Sequence, residues 1–257
     1  MARGTALITG ASAGLGAELA KLCAAGGYDV VLVARSASRL AELAASLSST
    51  HGIQARPLVA DLANPSAPPE IFAQMASTPV DILINNAGFG VNGPFAETDW
   101  AKDYALLQVN VAALVHLSKL FLPEMIRRHT GRILNLASTA AFVPGPFMAM
   151  YYASKAFVLS FSEALSNEVQ GTGVSVTALC PGPTRTEFAT AAGIAASNLF
   201  RGPTMGAAEV ARIGYDAMMA RKSSVIAGTR NRWLMRGVRL IPRSWAAAQT
   251  RKLNQGQ

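Results

Sequence analysis

The residues best suited to chemistry are Tyr151 and Lys155, which lie four positions apart. Ser138 lies thirteen residues before Tyr151. On a helix, side chains at i and i+4 lie on the same face, so this spacing places a phenol beside an ammonium. A phenol has an unperturbed pKa of about 10, and a neighbouring cation lowers it. With a serine hydroxyl within reach, the three residues suit proton transfer in carbonyl and alcohol chemistry. For an isolated Tyr and Lys at this spacing, ordinary helix packing is the alternative.

The composition predicts a globular protein with a large core. The chain has 257 residues, of which 51% are hydrophobic and 15% charged. Cys23 and Cys180 fall in apolar segments without metal or disulfide spacing, which predicts buried free thiols in a reducing compartment. The N-terminus leaves no room for a signal peptide, and we find no apolar run of the roughly 18 residues that would span a bilayer. We expect a cytoplasmic protein, with a membrane-peripheral location left open by the charge distribution.

Basic residues are concentrated at the C-terminal end, although the whole chain carries a net charge of +8. No acid follows residue 220, whereas nine basic residues do: Arg221, Lys222, Arg230, Arg232, Arg236, Arg239, Arg243, Arg251 and Lys252. The rest of the chain holds 14 basic and 15 acidic residues and is nearly neutral, which argues against a nucleic-acid-binding domain. We interpret residues 229–257 as a basic amphipathic extension. This extension either contacts an anionic membrane surface or forms a helix that is solvated or packed against a partner.

Short apolar runs alternate along the chain with longer segments of helical period. Strands are predicted at residues 6–9, 29–34, 53–60, 81–85, 132–137, 174–179 and 224–227. Helices are predicted at 14–25, 36–49, 69–77, 99–129, 151–170 and 207–221, with a break at Pro123 considered in the long one. Continuous apolar strands separated by helices are typical of a parallel sheet covered on both faces. The sequence therefore predicts one doubly wound α/β domain over residues 1–228.

A glycine-rich turn follows the first predicted strand and opens the first helix. Glycines let the backbone approach a diphosphate, and the start of a helix offers unpaired N–H groups to an anion. The candidate cofactor-binding residues of this turn are Gly10, Ser12, Ala13, Gly14, Leu15 and Gly16. An ordinary glycine-rich turn is the alternative, but its place between strand and helix favours a dinucleotide.

Other candidates for cofactor binding follow later strands. The second strand ends at Ala34 without an acid, and Arg35 and Arg39 follow it, so a 2′-phosphate and hence NADPH are favoured, with NADH as a weaker cofactor. Asp61 and Leu62 follow the third strand, where the Asp is either an adenine contact or a plain turn residue. The remaining candidates are Asn86, Ala87, Gly88, Pro181, Gly182, Thr184 and Thr186.

Asn110 lies among apolar residues in the long predicted helix, where asparagine is unfavourable and needs buried partners. The Ala-rich stretch 187–205 follows a rigid Pro-Gly-Pro turn and suits a lid over a substrate, with a plain loop as the alternative.

These residues together, in their order and spacing, resemble the short-chain dehydrogenase/reductase family over about residues 4–227. The resemblance implies a Rossmann-like domain with sheet order 3-2-1-4-5-6-7. It also implies catalytic roles for Ser138, Tyr151, Lys155 and Asn110: Tyr151 as acid and base, Lys155 lowering its pKa and holding the nicotinamide ribose, Ser138 binding the carbonyl and Asn110 ordering a water. Thr186 resembles the residue that binds the carboxamide. By the same analogy the protein forms a homodimer or homotetramer.

The predicted substrate is an apolar carbonyl compound or the corresponding alcohol. Phe89, Val143 and Phe147 lie in loops expected at the carboxyl edge of the sheet, where ligands bind in this fold. Core packing is the alternative for each of these side chains. A 3-oxoacyl thioester and a steroid-like ketone are both open as substrates. A non-catalytic NADPH-binding or membrane-surface scaffold is the competing function, and no metal site is expected.

Overall fold

A seven-stranded parallel sheet forms the centre of the computed structural model, which describes residues 3–194, 197–202, 204–238 and 240–255. The strands are β1 Thr5–Thr9, β2 Asp29–Ala34, β3 Ala55–Val59, β4 Ile82–Asn85, β5 Gly131–Leu136, β6 Val174–Cys180, β7 Thr184–Arg185, β8 Met205–Gly206 and β9 Ser224–Ile226. The sheet order is β3-β2-β1-β4-β5-β6-β9, which confirms the predicted order, while β7 and β8 form a separate two-stranded ribbon. At its centre, Ile8 of β1 pairs with Leu32 and Ile84.

Helices cover both faces of this sheet. They are α1 Gly14–Ala25, α2 Ala37–His51, α3 Ala67–Gln74, α4 Trp100–Leu107, α5 Leu114–Arg127, α6 Ala149–Glu168, α7 Phe188–Ala191, α8 Ala207–Met219, α9 Thr229–Val238 and α10 Arg243–Asn254. Leu19, Leu40 and Met218 fill the core under one layer, and Ile71 and Leu117 fill it under the other. Each such side chain contributes about 2 kcal/mol through burial. Both cysteines are buried free thiols, as predicted.

The long middle helix is irregular at a different place from the one considered in the sequence. It runs from Trp100 to Arg127, and Pro123 lies inside α5 without ending it. The irregularity is a π-helical segment, Gln108–Ala113, which connects α4 to α5 and contains Asn110. The break at Pro123 is therefore wrong. By length and composition alone this helix could cross a membrane, which is weak evidence because core helices of soluble proteins pass the same test.

A buried polar network joins the centre of the sheet to two helices. The Asn85 amide donates to Asn135 Oδ1 at 3.0 Å and to Ser118 Oγ at 3.1 Å. The Asn135 amide in turn donates to Ser162 Oγ at 2.9 Å. These hydrogen bonds fix β4 and β5 relative to α5 and α6, although the buried Asn85 Oδ1 atom itself has no partner among the described residues. The loops that follow these two strands are thereby held at the same edge of the sheet.

The C-terminal extension folds into α9 and α10. Met235 is the buried residue of α9, and Asn231 in its first turn donates to the Ala227 carbonyl at 2.8 Å. In α10, Ala246, Thr250 and Asn254 are buried at intervals of four and form one inward face. The extension is thus helical and one face of each helix packs against other parts of the protein.

Candidate active site

The glycine-rich turn between β1 and α1 has the backbone conformation that a diphosphate cradle needs. Gly10 and Gly14 have φ angles of +64° and +55°, which favour glycine, and a Cβ at Gly16 would collide with the Gly10 carbonyl. The Asn86 amide donates to the Thr9 and Gly10 carbonyls at 2.9 and 3.1 Å and so holds the turn. No acid stands in the first turn of α1 to oppose an anion. These residues fit a dinucleotide diphosphate.

A cleft of about 340 Å³ opens beside this turn and brings most of the predicted site together. The predicted residues that line it are Gly10, Ala13, Gly14, Leu15, Arg35, Asn86, Ala87, Gly88, Phe89, Ser138, Tyr151, Lys155, Pro181, Gly182, Thr184 and Thr186. Ser12 and Gly16 belong to the turn without lining the cleft. Residues that follow five strands of the sheet, β1, β2, β4, β5 and β6, thus converge with residues of α6 on one space at the carboxyl edge of the sheet.

Ser138, Tyr151 and Lys155 meet inside this cleft. Helix α6 begins at Ala149, so Tyr151 and Lys155 lie in its first turns on the same face, with Lys155 Nζ 5.8 Å from the Tyr151 ring centroid. Ser138 lies two residues after the end of β5 and caps a 3₁₀ turn, where its side-chain oxygen accepts a hydrogen bond from the Ala140 N–H at 3.1 Å. The Ser138 hydroxyl donates to the Pro181 carbonyl at 3.4 Å and is close enough to Tyr151 to lower the pKa of its phenol. A carbonyl oxygen between these two hydroxyls would contact both.

The protein alone does not acidify this tyrosine as the sequence predicted. Burial is the largest influence and raises the pKa of Tyr151 above its ordinary value, whereas the hydrogen bond with Ser138 lowers it. Burial also lowers the pKa of Lys155 to about 8. Lys155 lies in the same desolvated region and is not among the causes of the Tyr151 shift in the protein without its nucleotide, so a pKa lowered by the ammonium together with a bound nicotinamide stays a prediction. Tyr151 stays protonated near neutrality and is suited to donate a proton.

The buried lysine is held by the backbone of the neighbouring strand. Lys155 is 5% exposed, and its Nζ donates to the Leu136 carbonyl at 2.6 Å. Asn110 lies near it in the π-helical segment, where its amide donates to the Phe89 carbonyl and to Ser154 Oγ and accepts from the Phe89 N–H. A Cβ at Gly88 would lie 3.0 Å from Asn110 Oδ1 and 3.4 Å from Lys155 Nζ. Asn110 therefore anchors the loop after β4 beside the lysine, and its role in ordering a water stays a prediction.

The structure separates the two candidate arginines. Arg35 lines the cleft, whereas the Arg39 guanidinium forms an ion pair with Glu187 at 2.8 Å. This pair joins α2 to the segment before α7, and Glu187 itself lines the cleft. Asp61 and Leu62 do not line the cleft, and Asp61 Oδ1 accepts from the Ala63 N–H in a local turn. The adenine contact of Asp61 therefore has no support from its position, and the turn alternative describes what the carboxylate does.

Two of the three predicted substrate residues do not line the cleft. Phe89 does, but Val143 packs with the cluster around Met148, and Phe147 lies under the Arg251 guanidinium at 4.9 Å. The apolar wall instead comes from Met148, which belongs to the same predicted loop as Val143 and Phe147, and from side chains not predicted as substrate contacts: Tyr152, Phe188, Ala191, Ile194, Leu199 and Phe200. Five of these fall in or near the stretch predicted as a lid. Their lack of periodicity indicated a loop but not which side chains face the cleft.

Comparison with known proteins identifies a family model and several proteins that this chain resembles. The family model described as short chain dehydrogenase matches residues 4–195. Ketoacyl reductase HetN from Nostoc sp. is 38% identical over 180 residues, 69% of this chain and 62% of that protein. A very-long-chain 3-oxoacyl-CoA reductase from Phaeosphaeria nodorum is 41% identical over 181 residues, 68% of this chain and 53% of that protein. The chain thus matches between half and two thirds of the length of these relatives.

A solved structure agrees over a larger share of both chains. A short-chain dehydrogenase from Sphingobium yanoikuyae, solved in complex with NADPH, is 35% identical with a TM-score of 0.83, covering 92% of this chain and 93% of that one. A structure from a study of 7beta-hydroxysteroid dehydrogenase stereoselectivity is 25% identical with a TM-score of 0.87, covering 96% of both chains. Since the family model matches three quarters of the chain, residues 4–195, and the architecture agrees over 92% of it, the chain belongs to the short-chain dehydrogenase/reductase family.

Proposed function

We propose that the protein is an NADPH-dependent oxidoreductase that reduces the carbonyl group of an apolar ketone or aldehyde, or oxidises the corresponding alcohol. The observation that carries this proposal is the meeting of Ser138, Tyr151 and Lys155 in one cleft with the glycine-rich turn. A non-catalytic scaffold would have no need for a buried ammonium beside two hydroxyls. The family membership supports the same reaction class.

The mechanism assigns each side chain a separate task. NADPH, when bound, supplies the hydride to the carbonyl carbon. Ser138 donates a hydrogen bond that holds the carbonyl oxygen, and Tyr151 gives that oxygen its proton, so the product is the neutral alcohol. Lys155, protonated below its pKa of about 8, favours the phenolate that this transfer leaves behind. The raised pKa of Tyr151 keeps the proton available until the carbonyl accepts it.

The residues at the two ends of the cleft indicate which cofactor and which kind of substrate the protein binds. Arg35 lies where a 2′-phosphate would be held, which supports NADPH over NADH. The other end is lined by Met148, Ile194, Leu199 and Phe200, which supports an apolar substrate. A 3-oxoacyl thioester is a second candidate, because two relatives are named a 3-oxoacyl-CoA reductase and a ketoacyl reductase. A panel of ketones, aldehydes and 3-oxoacyl thioesters, read by NADPH absorbance, distinguishes these substrates.

Replacing Tyr151 with phenylalanine tests the proton donor. Tyr151→Phe removes the only atom that gives a proton to the product, so kcat should fall at least about a thousandfold, near the upper range for general acid catalysis. The Kd for NADPH, measured by fluorescence, should change less than about twofold. Tyr104→Phe, which alters an exposed tyrosine, is the matched control. Retained turnover in Tyr151→Phe would refute the assignment.

The pH dependence of the reduction tests the buried lysine. Because burial lowers the pKa of Lys155 to about 8, its charge is lost well below the pH at which an ordinary lysine deprotonates. We expect kcat/KM for NADPH to be level below pH 8 and to fall about tenfold per unit above it, since this parameter reports the free enzyme. In Lys155→Arg the side chain stays charged, and the break near pH 8 should disappear. An unchanged break in that variant would assign it to another group.

Exchanging Arg35 for an acid tests the cofactor preference. Arg35→Asp removes the partner of the 2′-phosphate and offers a carboxylate to a ribose hydroxyl, so the KM for NADPH should rise at least tenfold while the KM for NADH rises far less. Arg39→Ala, which removes the exposed ion pair with Glu187, should change the same ratio less than threefold. An unaltered ratio of the two cofactors in Arg35→Asp would remove Arg35 from this role.

Partner contacts are a further part of the proposal. Assembly into a homodimer or homotetramer rests on analogy with the family and on exposed aromatic side chains of the middle helices, Trp100, Tyr104 and Phe157. Peripheral membrane contact rests on the extension, where Trp233, Leu234, Leu240 and Trp245 are exposed among basic residues. Indole and leucine side chains enter the lipid interface, and arginine is attracted to anionic headgroups. A cytoplasmic protein that visits membranes would have access to apolar substrates.

Vesicle binding tests the role of the extension. The double variant Trp233→Ser, Trp245→Ser should bind vesicles of mixed phosphatidylcholine and phosphatidylglycerol about tenfold more weakly than the unaltered protein, because it loses the apolar contribution. Phe95→Ser, which changes an exposed aromatic side chain outside both the extension and the middle helices, is the control. Equal sedimentation of all three proteins, or binding to neutral phosphatidylcholine alone that matches binding to the mixture, would contradict this contact.

A further inference from the structure

The second tyrosine of the Tyr-Tyr pair has a structural partner far away in the sequence. Tyr152 follows the proposed proton donor, is 6% exposed, and donates through its hydroxyl to Asn254 Oδ1 at 3.0 Å. Burial raises its pKa, so the phenol stays protonated and remains a hydrogen-bond donor. A buried phenol that served only to fill space could be phenylalanine. Its hydroxyl therefore has a function that the reduction mechanism does not use.

Asn254 uses both ends of its amide. It lies in the last turn of α10 and is 2% exposed, and its Nδ2 donates to the Pro146 carbonyl at 2.9 Å. One side chain of the C-terminal helix thereby joins α6 to the loop that precedes it. We call this group of Tyr152, Asn254 and Pro146 the clasp. Gly145 allows the loop to come this close, because a Cβ there would overlap the Tyr152 ring.

Other contacts extend from α10 to the same region. The Asn198 amide donates to the carbonyls of Lys252 and Gln255 at 3.0 and 3.3 Å, which joins the segment after α7 to the end of α10. The Arg251 guanidinium lies 4.9 Å from the Phe147 ring centroid, and Phe147 has a φ of +66°, a conformation that is strained for a residue other than glycine. The helix end therefore holds two loops and α6 in fixed relation.

The segments that α10 holds are the apolar wall of the cleft. Met148 and Tyr152 line it from the loop and α6, and Leu199 and Phe200 line it from the segment that Asn198 anchors. The residues of α10 itself are not among those that line the cleft. We infer that α10 acts from behind this wall, and that Asn254 and the hydroxyl of Tyr152, whose ring is part of the wall, position the wall and set the preference for large substrates. This inference rests on the proposed carbonyl reduction.

The inference distinguishes large from small ketones. A large ketone contacts the wall, whereas a small one is held by Ser138 and Tyr151 without reaching it. Loosening the clasp should therefore lower the ratio of kcat/KM for a steroid ketone to that for cyclohexanone. Tyr152→Phe removes one hydrogen bond and should lower the ratio about fivefold, and Asn254→Ala removes two and should lower it about tenfold. Lys252→Ala, an exposed side chain on the same helical turn, should change it less than twofold.

The double variant decides whether the two residues act through one contact. Tyr152→Phe combined with Asn254→Ala should lower the ratio no further than Asn254→Ala alone, because both remove the same hydrogen bond. A loss of about fiftyfold in the double variant, the product of the two single losses, would overturn the inference. So would a ratio that is unchanged in the single variants because both ketones are affected equally. The Kd for NADPH, expected to stay within twofold, is the readout that general unfolding would move.

Hydrogen exchange tests the clasp without turnover. In the NADPH complex, Asn254→Ala should increase amide exchange at residues 145–148 and 197–202 and leave residues 10–16 unchanged. If amide exchange at residues 145–148 and 197–202 in Asn254→Ala equals that of the unaltered protein, the inference is overturned. If the unaltered protein reduces no carbonyl compound, the proposed function fails, while this measurement still decides whether α10 holds the wall.

Discussion

The buried ammonium of Lys155 is the constraint around which the site is built. Removing a charge from water costs several kcal/mol unless strong partners compensate. The compensation comes from the carbonyl at the end of β5, which Nζ contacts at 2.6 Å. Leu136 is the last residue of β5 and still pairs with Leu179 of β6. The strand end, the start of α6 and the lysine therefore determine one another's position, and Tyr151 is placed by the same helix one turn earlier.

The two ends of the cleft differ in how they are made. The cofactor side consists of backbone and short side chains at strand ends, held by amide hydrogen bonds such as those of Asn86 to the Thr9 and Gly10 carbonyls. The substrate side consists of large apolar side chains on short segments, supported from behind by α10. A nucleotide of constant shape suits the first construction. The second can change its selectivity without disturbing the residues that transfer the proton.

Sequence patterns predicted the alternating strands and helices and most of the cofactor side because their signals are local, whereas the sheet order was implied by the family resemblance. Glycines between strand and helix, an Arg after β2 and the Tyr-Lys spacing each depend on neighbours within a few residues. The substrate wall could not be predicted, since Leu199 and Phe200 line the cleft next to Asn198, whose amide contacts a helix more than fifty residues away. Phe147 has the apolar side chain expected of a substrate contact, but the Arg251 guanidinium lies over its ring. Pro123 shows a different failure, because its breaking tendency is overridden by the packing of α5.

The π-helical segment has a consequence for how this chain can vary in length. Each helical residue turns the chain by about 100°, so one residue more or fewer rotates everything on one side of it relative to the other. Helix α5 packs on α3 and the sheet, while α4 contacts α6. Removing a single residue between Gln108 and Ala113 would convert the π-helical turn to an α-helical one and rotate α4 away from α6. Asn110 would then lose its hydrogen bond to the Phe89 carbonyl. Homologous chains should therefore tolerate insertions in the loops at either end of this helix but keep its internal length fixed.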